Sequence, residues 1–185
     1  MTAPGERTSA EVAARVEVQW AVLVGGIVLL LLAMIAFTAL RWSSMPPSRV
    51  EVVDATTLHQ AGEFVESNVG TGVNERNQVV LHLLAEQFAF RPQCLVVPEG
   101  VPVTVRATSA DVVHGFQVLG TNVNSMLIPG YVSTFVMTLD GVGERSMPCH
   151  EFCGVGHAAM WARVKVIPLA EFERLMREKR RASCV

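Results

Sequence analysis

Cys149-His150-Glu151-Phe152-Cys153-Gly154-Val155-Gly156-His157-Ala158-Ala159-Met160 is the most informative stretch of this 185-residue chain. Two cysteines, a histidine and a methionine follow one another as Cys-x3-Cys-x3-His-x2-Met. Thiolate, thioether and imidazole donors together form the soft set that copper prefers and that magnesium, calcium and manganese do not. Simpler readings exist. A lone Cys is usually a small buried hydrophobe and a lone Met is usually core filler. Cys149 and Cys153 as a disulfide would leave the spacing of the His and Met without a purpose, and a zinc site with His150 and His157 would not call for a thioether. A single blue-copper site uses one Cys, so two suggest a pair of ions bridged by thiolates. A further donor must come from elsewhere, and His114 in Asp111-Val112-Val113-His114-Gly115-Phe116 is the best placed.

The segments around this stretch read as strands. Val79–Ala85, Leu95–Val97, Val101–Ala107, Gly115–Leu119, Val132–Leu139 and Trp161–Ile167 are short, β-branched or apolar, and bounded by turn residues. Pro98-Glu99-Gly100 and Asp140-Gly141 are the clearest turns. Many short strands without helices between them predict an antiparallel sandwich or barrel, with the Cys-His-Met loop joining its last strands. Residues 43–78 read as a polar linker and irregular segment, and 79–168 as the β domain. From Leu169 the apolar residues recur at helical spacing, with acids early and bases late. Residues 169–185 therefore read as a short amphipathic helix and tail.

At the other end, Trp20–Leu40 carries neither a charge nor a proline over 21 residues. As a helix it would span roughly 30 Å, the thickness of a bilayer core. It is longer than a secretory h-region, apolar on every face, and followed by no small-x-small cleavage site, so a single transmembrane helix over 20–42 is expected after a short segment 1–19. Arg7 and Arg15 on one flank balance Arg41 and Arg49 on the other, so charge does not orient the helix. Half the residues are hydrophobic and the formal net charge is −2, which excludes disorder and gives no basic excess for nucleic acid. Cys94 and Cys184 fit no metal motif. Cys94 reads as buried and Cys184 as incidental, although the two could pair. His82 reads as a strand residue, and Trp161 as core.

These motifs together resemble subunit II of a haem–copper oxidase of the cytochrome c oxidase type. The likeness rests on one helix, a linker, a β domain and both donor motifs in order. A single N-terminal helix, the Asp-Val-Val-His-Gly-Phe segment, Gly-Thr-Asn-Val-Asn at 120–124 and Pro-Gly at 129–130 are similar to the B-type (ba-type) subgroup. The resemblance implies an all-β cupredoxin-like Greek-key sandwich or barrel, with one N-terminal transmembrane helix and a short C-terminal helix. It implies a binuclear copper centre, CuA, in which Cys149 and Cys153 bridge both ions and His114 and His157 each terminate one. Met160 is then the weak axial ligand of one ion, and the backbone carbonyl of Glu151 that of the other. A Glu at 151, where B-type relatives often carry Gln, leaves open a magnesium ion at the subunit I interface.

Other roles follow from the same resemblance. Asp111 would support His114. Phe88 would be the aromatic for electron entry, and Glu17 would sit at the mouth of a proton-uptake channel. His150 would face subunit I or solvent. The implied partners are the haem-bearing subunit I, the lipid bilayer and cytochrome c or a similar small redox donor. The implied place is the plasma membrane, single-pass, with the C-terminal domain periplasmic or extracellular. The implied function is electron transfer from the donor through CuA to haem in subunit I, where O2 becomes water. Left beside it are the CuA subunit of a related nitric oxide reductase and a membrane-tethered copper electron carrier.

Overall fold

A computed structural model describes residues 9–42, 50–178 and 181–184. The chain divides into two compact units, residues 1–45 and 46–185. The first is a single helix, α1 (Ser9–Trp42). Its Ala10–Arg41 portion is long and apolar enough to cross a membrane, and none of its apolar window is buried. α1 starts at Ser9, well before the apolar run, because Ala10, Glu11, Ala13, Ala14 and Arg15 are all good helix formers.

The second unit is a β structure of two main sheets and a separate two-stranded pair. Ten strands follow in order: β1 (Gly70–Val73), β2 (Val79–Glu86), β3 (Ala89–Arg91), β4 (Cys94–Pro98), β5 (Val103–Ser109), β6 (His114–Gln117), β7 (Asn124–Leu127), β8 (Ser133–Met137), β9 (Gly143–Pro148) and β10 (Trp161–Ile167). The larger sheet runs β1-β2-β5-β8, with β3 also on β2; the smaller runs β4-β10-β9, and β6 pairs with β7. An antiparallel sandwich was expected, but β2 with β5 and β4 with β10 are parallel pairs. Parallel pairing joins segments distant in sequence, so no hairpin signal marks it.

β10 shows why the strands form where they do. Its residues Trp-Ala-Arg-Val-Lys-Val-Ile alternate exposed and buried until the last, so one face enters the core and the other meets solvent. β2 does not alternate, because both its faces are covered. Leu81, Leu83 and Ala85 join the main core with Phe90, Phe116, Leu95, Val105 and Val164. Leu84, on the opposite face, packs with Leu58, Phe64 and Val132. Residues 50–78 are thus more than an irregular segment. They supply the edge strand β1, a short 3-10 turn at Glu66–Asn68 and a second apolar cluster. An ion-paired clamp holds this layer down. The Arg106 guanidinium on β5 takes Glu63 through two bonds of 2.6 and 2.7 Å and Glu51 through a third of 2.6 Å.

The helix α2 (Leu169–Glu178) follows β10 and buries Phe172 against the core. Beyond it the chain returns as an extended tail. Ala182 pairs with Thr71 on β1 and Ser183 with Leu95 on β4, so the tail spans one open edge of each sheet. Cys184 then forms a disulfide with Cys94, 90 residues earlier, with Cα atoms 5.3 Å apart. Cys184 is therefore structural and not incidental. A cysteine three residues beyond a charged run carries no sequence signal of its partner. Cys94 is buried, as expected.

Candidate metal centre

The loop from Cys149 to Met160 connects β9 to β10, which are hydrogen-bonded neighbours, so its two ends are held together. Cys149 N–H donates to Met160 O at 2.9 Å. Inside the loop, His157 N–H bonds to Gly154 O and Met160 N–H to His157 O, closing a short 3-10 turn at His157–Ala159. These turns point Cys149, Cys153 and Met160 into the core, where all three are buried. The second arm comes from β6. Its first residue, His114, is fully buried and faces the thiols.

The donors converge. Cys149 and Cys153 are both free, with Sγ atoms 3.9 Å apart. His114 Nδ1 lies 3.8 Å from Cys149 Sγ, and His157 Nδ1 lies 3.7 Å from Cys153 Sγ. Glu151 O is 3.2 Å from Cys149 Sγ, and Met160 Sδ is 3.7 Å from Cys153 Sγ. The Nδ1 of His114 and the two sulfurs all lie within 4.8 Å of one another. Each thiol is thus faced by one imidazole nitrogen and one weak donor. The six donors expected from sequence are brought together, and their chemistry fits a soft, redox-active metal.

Asp111 fixes the first histidine. His114 Nε2–H donates to its Oδ1 at 2.8 Å, and because a carboxylate only accepts, Nδ1 is left with its lone pair toward the sulfurs. Oδ1 also accepts from Val112 N–H at 2.6 Å, and Oδ2 from Gln87 N–H at 2.7 Å. Partial burial acts to raise the Asp111 carboxyl, but the bond from His114 and those backbone N–H groups outweigh it and hold the group below its ordinary value. At Cys153, burial and then the adjacent Cys149 sulfur push the thiol up to about 11. Metal-free, this cysteine is a thiol at neutral pH, and ligation releases its proton.

Two glycines allow the close packing. A Cβ on Gly115 would lie 2.6 Å from His150 N and 2.7 Å from Glu151 N, so only glycine lets β6 run against the ligand loop. A Cβ on Gly156 would lie 2.4 Å from Phe88 Cδ2, because the half-buried Phe88 ring rests on the loop at Gly154 and Gly156. Glu17 lies in α1, in the separate helical unit. His150 is exposed, and its N–H bonds to Gly115 O. Trp161 is not core: it is half exposed, and its Nε1 donates to Ala158 O at 2.8 Å. It is the first residue of β10, and the alternation of that strand places it outward. His82 is a buried strand residue bonded to Asn68 and near Glu63, and is no part of the centre. Sequence reasoning passed over Gln87. Its side chain donates to Cys153 O from the turn between β2 and β3, and a single polar residue in a turn gives no hint of such a bond.

A family model described as cytochrome c oxidase subunit II, periplasmic domain, matches residues 81–167. The chain is 35% identical over 137 residues to a cytochrome c oxidase subunit 2 of Thermus thermophilus, covering 73% of this chain and 82% of that one. A second Thermus thermophilus protein of the same name is 36% identical over 122 residues, or 66% and 90% of the two chains. Among solved structures, a chain of a heme-copper terminal oxidase dimer studied by cryo-EM is similar with a TM-score of 0.58. The two are 28% identical, and the likeness covers 84% of this chain and 99% of that one.

Proposed function

The chain belongs to the cytochrome c oxidase subunit II family, and on that premise we propose that its β domain holds a two-copper CuA centre of the B-type subclass. It is a subunit of a haem–copper terminal oxidase and part of an oxidoreductase complex. Its role there is electron transfer. The observation that carries the two-copper reading is the pairing of two buried free thiols 3.9 Å apart, each with its own imidazole nitrogen and weak donor. One mononuclear site would leave a thiol over. The B-type assignment is supported by the His114 segment, Asp-Val-Val-His-Gly-Phe.

A copper pair held by Cys149 and Cys153 with His114, His157, Met160 and the Glu151 carbonyl would supply a one-electron couple. The chain's own residues do the rest. Cys149, Cys153, His114 and Met160 are withdrawn from water into the core, which keeps the surroundings of the site from rearranging. Asp111 holds His114 in one tautomer and one orientation. Each of the two thiols is faced by an imidazole nitrogen and a weak donor of the chain itself, a donor set suited to electron transfer.

Further parts of the reading concern partners. Phe88, resting on Gly154 and Gly156 with part of its ring exposed, is the entry point for electrons from cytochrome c or a similar small donor. The half-buried Glu151 carboxylate has no hydrogen-bond partner among the described residues and is left for a magnesium ion at the contact with subunit I. α1 anchors the domain in the plasma membrane through residues 20–42. Glu17, on the N-terminal side of that run, serves proton uptake, and residues 79–168 carry the copper on the periplasmic face.

The test is copper quantification with electron paramagnetic resonance on the full chain in detergent. Two ions per chain, and hyperfine structure from one unpaired electron shared by two copper nuclei, are expected. One ion per chain, with hyperfine structure from a single nucleus, would overturn the reading. Cys149→Ser should abolish the shared-electron signal, while Met160→Leu should perturb it without abolishing it.

A further inference from the structure

We infer that Gln87 is a positioning residue of the metal centre, tying the two ligand-bearing arms to each other; this deepens the two-copper reading and rests on it. The ligand loop is held mainly by bonds within itself and to the strands at its ends. Its middle, at Cys153, is tied to another element by one described side chain. Gln87 Nε2–H donates to Cys153 O. The same residue's backbone N–H donates to Asp111 Oδ2 at 2.7 Å, and Asp111 Oδ1 accepts from His114 Nε2 at 2.8 Å. Gln87 is therefore a single residue in contact, on one side, with the peptide of a cysteine donor and, on the other, with the carboxylate that orients a histidine donor. The neighbouring Phe88 ring is pressed on Gly154 and Gly156, which seats the turn on the loop and keeps the amide within reach of Cys153.

The two contacts are chemically distinct. The backbone bond survives any substitution except proline, so a side-chain change at 87 removes the tie to Cys153 and spares the tie to Asp111 and His114. Hydrogen bonds in the surroundings of a metal site typically govern its affinity by about 10–100-fold. The Gln87 amide also presents the positive end of its N–H dipole beside the Cys153 peptide. A positive end so placed favours the less positively charged, reduced state of whatever the thiolate binds, so its loss lowers the reduction potential.

Gln87→Met has similar reach and no donor, and Gln87→Lys restores a donor. Both are compared with the unaltered full chain in detergent, loaded with copper. Three quantities are followed: copper release to a chelator, reduction potential by mediated titration, and melting of the metal-free chain. Gln87→Met should load as many ions as the unaltered chain, release them about tenfold faster and show a lower potential, with metal-free melting lowered less than that of the loaded chain. Gln87→Lys should recover most of the retention. Equal release rates and potentials for Gln87→Met and the unaltered chain would overturn the inference, as would a metal-free chain destabilised as much as the loaded one. Loading of one ion by the unaltered chain would overturn the two-copper reading, while the ratio of release rates would still decide the role of Gln87.

Discussion

Gly115→Ala adds one methyl group where β6 crosses the ligand loop, and the structure sets how much must give. The new Cβ would lie 2.6 Å from His150 N, 2.7 Å from Glu151 N and 2.8 Å from His150 C. All three are backbone atoms, so no side chain can rotate away. Ordinary contact begins at 3.4 Å, and opening 2.6 Å to that distance moves the loop or the strand by about 0.8 Å. Gly115 has no left-handed backbone to strain, so the clash is the whole effect. Metal and catalytic sites tolerate about 0.5 Å of displacement, and the shift exceeds this between His114 on one side and Cys149 with the Glu151 carbonyl on the other. Overpacking of this kind costs about 1–3 kcal/mol, or a fall of about 3–10 °C in Tm for a domain of this size. Copper uptake by the full chain, its paramagnetic spectrum and thermal melting are the assays. The variant should fold with a lowered Tm and load copper poorly or with an altered spectrum. Full loading, an unchanged spectrum and an unchanged Tm together would refute the claim that β6 packs directly against the loop.

Two other outcomes are expected. Cys184→Ser removes a cross-link spanning 90 residues, and loop-closure entropy puts the loss near 4–5 kcal/mol, measurable by urea unfolding. Cys94→Ser should cost a similar amount and the double variant no more than either, whereas additive losses would show that the bond itself is not what stabilises. His82 gives a pH dependence. Burial, then the nearby Arg181, lower its pKa below the ordinary value of 6.5, against the opposing pull of Glu63 and of the Asn68 backbone carbonyl that accepts from its Nδ1, with Arg106 a minor further contributor. The unfolded chain then binds the proton first. Stability is complete above about pH 6.5 and is lost as pH falls from there toward the depressed folded value. His82→Gln, which can still accept from Asn68, should flatten that part of the stability curve, and an unchanged slope would count against the assignment.

Five donors were legible because ligand chemistry is local: four of them lie within twelve residues and carry it in residue type and spacing, whereas the Glu151 carbonyl, a backbone donor with no side-chain signal, is implied only by the family resemblance. β10 was legible from Trp161 to Ile167 because strict alternation reports one buried face. The strands that went unread were β1, β3, β7 and β9, with sequences such as Gly-Thr-Gly-Val and Gly-Glu-Arg-Ser-Met-Pro. β1 and β9 are edge strands of four and six residues, and with small or charged side chains they owe their form to a neighbour's backbone rather than to an apolar face. The parallel pairs, the tail on Thr71 and Leu95, and the bond from Gln87 to Cys153 all join residues far apart in the chain. Their register is a property of the assembled fold.

The Cys94–Cys184 bond also bears on the order in which the molecule can be made. His114, Cys149, Glu151, Cys153, His157 and Met160 all lie between its two ends. During synthesis Cys94 precedes Cys149 and Cys153, and its true partner follows them. An oxidant acting before residue 184 is available meets three thiols, of which every pairing is wrong and two must stay reduced to receive metal. In the folded chain Phe172 of α2 is docked in the core and the tail bridges β1 and β4, which sets Cys184 beside Cys94. A disulfide made there removes the surplus thiol from exchange and leaves Cys149 and Cys153 as the two free cysteines. In the folded chain the tail thus sorts four cysteines into two pairs: Cys94 with Cys184, which are oxidised, and Cys149 with Cys153, which are left free.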